Sequence, residues 1–363
     1  FAERAVAINS LIYLLFLIIL GLPVLVCEFA VGRGSRKSVA LSFDELQPKN
    51  GKWTPLKFIG IIGCYMLMMF YTTVGGWLMY YCYKGIRGSF VNASSDNIST
   101  QFSQMLTDVP TMLFWTILIC VIGFAVCMFG LNNGIERVTK VMMTALILIM
   151  VVLAIRSVTM AGAGEGIRFY LIPDFHKMVE SGIGNVVFAA LSQAFFTLSI
   201  GIGAMLIFGS YLDQSRSLTG EAVNIMLLDT FVALTAGFII IPACFSYGIE
   251  PGAGPSLIFI TLPNIFSHFC GGRIWAFLFF LFLTFAALST IIAVFENLVM
   301  FNMELLGWRR KKSVLVCATL IIILSIPCVL GFNVWSGVQL LGEGSTIMDL
   351  EDFIVSNNLL PLG

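Results

Sequence analysis

The chain has 363 residues, of which 58% are hydrophobic, 13% aromatic and only 11% charged, and its formal net charge is zero. Soluble domains carry about a quarter charged residues, so this composition cannot cover a water-facing surface, whereas a mean hydropathy of +0.96 suits a bilayer. Zero net charge argues against a nucleic-acid partner. The nine cysteines lack CxxC spacing, and Cys27, Cys64, Cys120, Cys127 and Cys317 sit in apolar runs as small hydrophobes. The two histidines, His176 and His268, are far apart with no neighbouring ligands, so no metal centre of the zinc kind and no organic cofactor is expected.

In chain order, apolar runs occur at 11–32, 57–84, 112–130, 137–158, 187–209, 219–244, 275–301 and 313–331, and a ninth begins near 350. A helical span needs roughly 20 apolar residues, and only a helix satisfies its own backbone in lipid. Membrane barrels are excluded, because their strands are about ten residues long and alternate in polarity. Basic residues set the orientation. With the loop after the first run inside, Arg33, Arg36, Lys37, Lys49, Lys52, Lys57, Arg137, Lys140, Arg216, Arg309, Arg310, Lys311 and Lys312 are cytoplasmic. Only Lys84, Arg87, Arg156, Arg168, Lys177 and Arg273 fall outside. The sequons at Asn92 and Asn97 are then external. The outer loop from Tyr247 to Trp275 carries Pro251, Gly252, Gly254, Pro255 and Pro263 around apolar Leu257–Leu262. It is too interrupted to span, and is expected to pack into the protein as a small helical hairpin.

Three polar islands interrupt the apolar runs. The first, Leu191 to Gly203, places Gln193, three hydroxyls and two close glycines in the middle of a span. Each glycine weakens a helix by about 1 kcal/mol, so the stretch reads as an unwound break exposing carbonyls to cations and amides to carboxylates, or equally as a small-residue packing face. The second is Asp229 with Thr230, an intramembrane carboxylate costing roughly 2.5–3.5 kcal/mol on insertion scales. The third is Ala286-Ala287-Leu288-Ser289-Thr290, whose hydroxyls suit sodium or, again, close helix packing.

The order of these motifs resembles the neurotransmitter:sodium symporter family, the LeuT-fold sodium-coupled transporters of amino acids and amines. Gly21 to Arg33, with Glu28 inside it, resembles the end of the family's second helix; Phe70 to Trp77 resembles the third. Gly134 to Met143 opens a fifth, with Thr144 where a proline is often found. Gln193–Gly203 resembles the broken sixth helix, Phe285–Ala293 the eighth, and Met348–Phe353 the approach to the tenth.

The resemblance implies roles residue by residue. Tyr71 matches the tyrosine that binds the substrate carboxylate, Phe196 the aromatic lid, and Ser199 lies in the unwound segment; Val74, Ile202 and Val294 would line a side-chain pocket. Thr197 and Asp229 match the first sodium site, and the Ala286 carbonyl with Ser289 and Thr290 the second. Tyr13 and Gln193 match part of a chloride pocket, and Asp352 matches an outer-gate acid. In chloride-dependent members the position of Asp229 resembles an asparagine, and Ala233 stands where a serine or glutamate is expected. A fixed carboxylate at Asp229 and a chloride about 4 Å away would repel by roughly 4 kcal/mol at an effective dielectric of 20. Chloride-independent transport follows.

The expected fold is therefore all-α: one multi-pass cell-membrane domain of two inverted five-helix repeats, 1–160 and 161–363. The family's first helix is not matched by residues 1–10, and the helices after the start of the tenth are absent, so both ends read as cut and residues 1–363 alone are expected not to transport. The expected activity is sodium-driven symport of a hydrophobic or aromatic amino acid by alternating access, with sodium as the co-transported ion. The alternative is a non-transporting truncated homologue or pseudogene product. An enzyme is not expected, because Asp229 and Glu296 lack a histidine or second acid at workable spacing.

Overall fold

The computed structural model describes residues 6–130, 135–173, 175–180, 182–247, 254–268 and 271–362. The first span joins α1 (Val6–Phe16) to α2 (Leu22–Ser35) through a single π-helical turn at Leu17–Gly21. It leaves Leu11, Leu15, Ile18 and Ile19 exposed, as a lipid-facing stripe demands, and buries Tyr13, Leu17, Leu25 and Phe29. A short inner helix, α3 (Val39–Leu46), precedes α4 (Leu56–Arg87). On the outer side α5 (Ser95–Thr107) leads to α6 (Val109–Met128) and α7 (Glu136–Val158), and α8 (Ala163–Leu171) and α9 (Phe175–Glu180) cover the next outer loop. The second half comprises α10 (Ile183–Leu198), α11 (Ala204–Tyr211), α12 (Leu218–Ser246), α13 (Gly254–Ser256), α14 (Leu262–Ser267), α15 (Gly272–Leu306), α16 (Arg310–Leu330), α17 (Ile347–Ile354) and α18 (Leu360–Leu362). Seven of the described helices are long and apolar enough to cross a membrane unbroken.

The spans run longer than the apolar runs. The expected 57–84 becomes Leu56–Arg87 and the expected 275–301 becomes Gly272–Leu306. Thirty-two residues at about 1.5 Å each exceed a hydrocarbon core of about 30 Å, so α4 emerges or tilts. Polar ends are tolerated there, and the left-handed glycines Gly88 and Gly307 stop α4 and α15.

Helices approach closely where glycine removes the side chain. On α4, a Cβ at Gly76 would lie 2.8 Å from the Thr116 nitrogen of α6, and one at Gly85 would lie 3.0 Å from the Phe277 backbone of α15. Between α2 and α11 the contact is backbone on backbone. A Cβ at Gly32 would sit 2.0 Å from the Leu206 carbonyl oxygen, and one at Gly209 would sit 2.7 Å from the Phe29 oxygen. Small residues supply this kind of packing in lipid, where no hydrophobic force separates helix from tail.

At the inner face, Glu304 of α15 accepts hydrogen bonds from the Ser38 backbone N–H and hydroxyl, both at 2.8 Å. That carboxylate thereby anchors the N-cap of α3 to the long helix. Asp44 bonds Lys57 at 2.7 Å, which holds its carboxyl below the ordinary range and ties α3 to the start of α4.

The described part of the outer loop, residues 254–267, is helical with a π turn at Leu257–Thr261. Its Phe259 packs edge-on to Trp77 and Tyr81 and stacks on Phe102. The expected packing into the protein is therefore present over that stretch. Pro251 and Gly252, and Gly134 before α7, lie outside the described residues. Asn92 and Asn97 are exposed on the outer side.

Candidate functional site

The run at 187–209 is not one helix. α10 ends at Leu198, the chain turns through Ser199 (φ 52°), Gly201 (φ 92°) and Gly203 (φ 69°), and α11 resumes at Ala204. Three left-handed residues within five cannot continue a right-handed helix, and two are glycine, which adopts them without strain. Of the two sequence readings, the break holds over the packing face.

Glu28 holds the break in place. Its carboxylate, on α2, accepts from the Gly201 N–H at 2.7 Å and the Met205 N–H at 3.2 Å. An anion at the N-terminus of α11 satisfies amides that no intrahelical carbonyl can reach. In the sequence Glu28 stands inside a motif with nothing beside it to mark this role. Its signal was a lone carboxylate in an otherwise apolar run.

A cavity of about 380 Å³ lies beside the break and is lined by Thr197, Ser199, Asp229, Ser289, Thr290 and Val294, among others. These residues come from α10, the break, α12 and α15. Glu221, in the first turn of α12, and Leu212, just past the end of α11, also line it. A second cavity of about 470 Å³ shares Ser289, Ala293 and Phe208 and runs to Glu136 and Lys140. The path from the break thus leads toward the cytoplasmic face. Above it, the Tyr71 and Phe196 rings meet with centroids 6.5 Å apart.

The oxygen-bearing residues are arranged around this space. The Ser289 and Thr290 hydroxyls donate to the Ala286 carbonyl at 2.8 and 3.4 Å, which leaves their lone pairs available. Tyr71 is directed at Thr290. The Gln193 amide donates to the Thr197 hydroxyl at 3.3 Å. Tyr13 is buried with its hydroxyl facing Thr197, Thr230 and Asp229. Asp229 itself is half-buried.

Other expected site residues lie elsewhere. Ile202 is fully buried and turned onto α4, where a Cβ at Gly63 would touch its Cγ2 at 2.6 Å. Val74 packs with the outer aromatic core around Trp77. Asp352 is exposed and accepts from the Ser356 hydroxyl at 2.6 Å.

An ion pair lies between the site and the inner face. Glu296 of α15 is completely buried and pairs with Arg310, whose Nε also donates to the Cys127 carbonyl at 2.7 Å. Tyr211, at the inner end of α11, is directed at the same carboxylate. Arg310→Met leaves Glu296 buried and uncompensated, and is expected to cost about 3–5 kcal/mol. Thermal unfolding of the purified protein checks this, and the double variant Glu296→Gln, Arg310→Met should recover most of the loss.

A helical bundle in which a broken helix faces an intramembrane carboxylate and paired hydroxyls defines a secondary transporter of the broken-helix class. Residues 96–342 match the sodium:neurotransmitter symporter family, and the chain belongs to that family. It is 35% identical over 353 residues to an uncharacterized sodium-dependent transporter, YhdH, of Bacillus subtilis, covering 97% of this chain and 77% of that one. Against an uncharacterized sodium-dependent transporter of Haemophilus influenzae the identity is 33%, over 97% and 78% of the two chains. The sodium-dependent serotonin transporter of Drosophila melanogaster is 27% identical over 87% of this chain and 57% of its own. The fold superimposes on the crystal structure of MhsT in complex with L-phenylalanine with a TM-score of 0.91 and 35% identity, over 99% of this chain and 81% of that one. The protein is thus a multi-pass, sodium-coupled membrane transporter with the LeuT-type fold, and not an enzyme.

Proposed function

We propose that this transporter moves an amino acid with an apolar or aromatic side chain, together with sodium and without chloride. The observation that carries the reading is the cavity at the broken helix, where Thr197, Ser199, Asp229, Ser289 and Thr290 share one space with apolar Val294. A sodium ion at Thr197 and Asp229 would bridge α10 to α12. A second, at Ala286, Ser289 and Thr290, would sit on α15. Both touch or face the segment that Ser199 and Phe196 lend to the substrate, so ion and substrate stabilise one backbone arrangement and strengthen each other's binding. Each sodium crossing 100 mV supplies about 2.3 kcal/mol. The apolar lining supports the substrate class, as does the phenylalanine bound to MhsT.

Chloride independence rests on Asp229. Its carboxylate, with Tyr13 and Gln193 gathered at Thr197, occupies the place where an added anion would be repelled. A thermal-shift screen of the full-length protein against amino acids tests the substrate reading. A ligand at a hundred times its Kd adds about 2.7 kcal/mol, so phenylalanine or leucine should raise the midpoint in sodium and leave it unmoved in potassium. No shift with any apolar or aromatic amino acid in sodium would refute the substrate class. In proteoliposomes, replacing chloride by gluconate should leave uptake unchanged, and a severalfold loss would refute the charge argument.

A further inference from the structure

Glu351 has no part in the site described above. It lies on α17 with 4% of its surface exposed, and among the described residues neither carboxylate oxygen accepts a hydrogen bond from nitrogen or oxygen. α17 packs on α4 and α16. From α16 the Cys328 thiol faces Glu351, and from α4 the Thr73 hydroxyl reaches that thiol. The fit is close, since a Cβ at Gly331, just beyond α16, would meet the Ile347 side chain at 2.9 Å. On its own helix the acids are Asp349 and Asp352. Asp349 is engaged by the Thr346 capping box and Asp352 by Ser356, and neither supplies a positive charge. Among the described residues no ion pair reaches Glu351.

An ionised carboxylate buried from water with no cation and only a weakly donating thiol beside it takes up a proton in preference to staying charged. Sodium is a poor substitute. A hard cation wants about six oxygen ligands, and the surroundings offer a thiol and one hydroxyl. We propose that Glu351 is a proton-binding site in the outer half of the transporter, filled while α17 is packed against α4 and α16 and emptied when that packing opens. Asp352 is the next residue, so loosening α17 also moves the acid at the outer mouth. Protonation of Glu351 then favours the closed arrangement of the outer half, and alkaline medium favours the loosened one.

The test uses the full-length protein in lipid nanodiscs, as wild type, Glu351→Gln and Glu351→Met. Infrared spectra should show a protonated-carboxyl carbonyl band at neutral pH in the wild type that both variants lack and that fades in base. Because the folded protein binds this proton more tightly than the unfolded chain, wild-type stability should fall as pH rises through the group's titration, and both variants should flatten that fall. At neutral pH their thermal midpoints should lie at or above that of wild type, since the wild-type carboxyl must take up a proton on folding that neither neutral side chain needs. Absence of a Glu351-dependent carboxyl band at neutral pH overturns the proposal. So does a collapse of the midpoint in both variants, which would mean that an ionised Glu351 is held by a cationic partner.

Discussion

Glu28→Leu is expected to reduce sodium-driven uptake by about a hundredfold or more in proteoliposomes of the full-length protein. Leucine has nearly the shape of the glutamate and none of its oxygens, so the Gly201 and Met205 amides lose their acceptor where water does not replace it. Each orphaned buried donor costs about 1–3 kcal/mol, and together they cost about 2–6 kcal/mol. That cost falls on the one backbone arrangement that presents Ser199 and Thr197 to the cavity. Glu28→Gln keeps one carbonyl oxygen and turns its amino group toward an amide donor, so its activity should lie between wild type and Glu28→Leu. Wild-type uptake by Glu28→Leu would mean that the break holds itself open without α2.

Gly201→Ala should be more damaging than its single methyl group suggests. The residue has φ 92°, and a Cβ there would lie 2.0 Å from the Leu360 carbonyl oxygen and 3.0 Å from its carbon. A left-handed backbone penalises any L side chain, and the clash is with main chain that cannot rotate aside. The substitution must move either the break or the segment around α18, at an expected cost of about 3 kcal/mol or more. Substrate-induced thermal stabilisation should vanish along with uptake. Gly164→Ala is the matched control: it lies in α8, and an added Cβ meets nothing within 4 Å. Alanine there should be neutral or stabilising by up to about 1 kcal/mol. Equal damage at both positions would show that the effect at Gly201 is general fragility and not a local clash.

Much of this was readable along the chain because a bilayer permits few solutions. Eight apolar runs and the start of a ninth had to be helical, and Gly201 and Gly203 among hydroxyls marked a stretch that would either break or pack closely. Asp229, Ser289 and Thr290 stood out for the same reason: polar groups at that depth are costly unless used. The outer helices were less visible. α5 buries only Ile98, Phe102 and Met105 on one face, so it shows no apolar run, and the same holds for α8.

Composition and the spacing of apolar runs by themselves determined that this is a helical membrane protein and where its spans lie, while the stretch from Leu191 to Gly203 stayed open between a break and a packing face. These follow from the absence of water in the hydrocarbon layer, which acts on each segment separately. Tertiary structure alone decided that the backbone breaks between Leu198 and Ala204, that Glu28 reaches the Gly201 amide 173 positions away, that Ile202 turns onto α4 while Val294 lines the cavity, and that Glu351 is sealed against Cys328 with no cation paired to it among the described residues. Those outcomes depend on which helix faces meet and how closely glycine lets them approach, and a linear pattern of hydropathy carries no term for either.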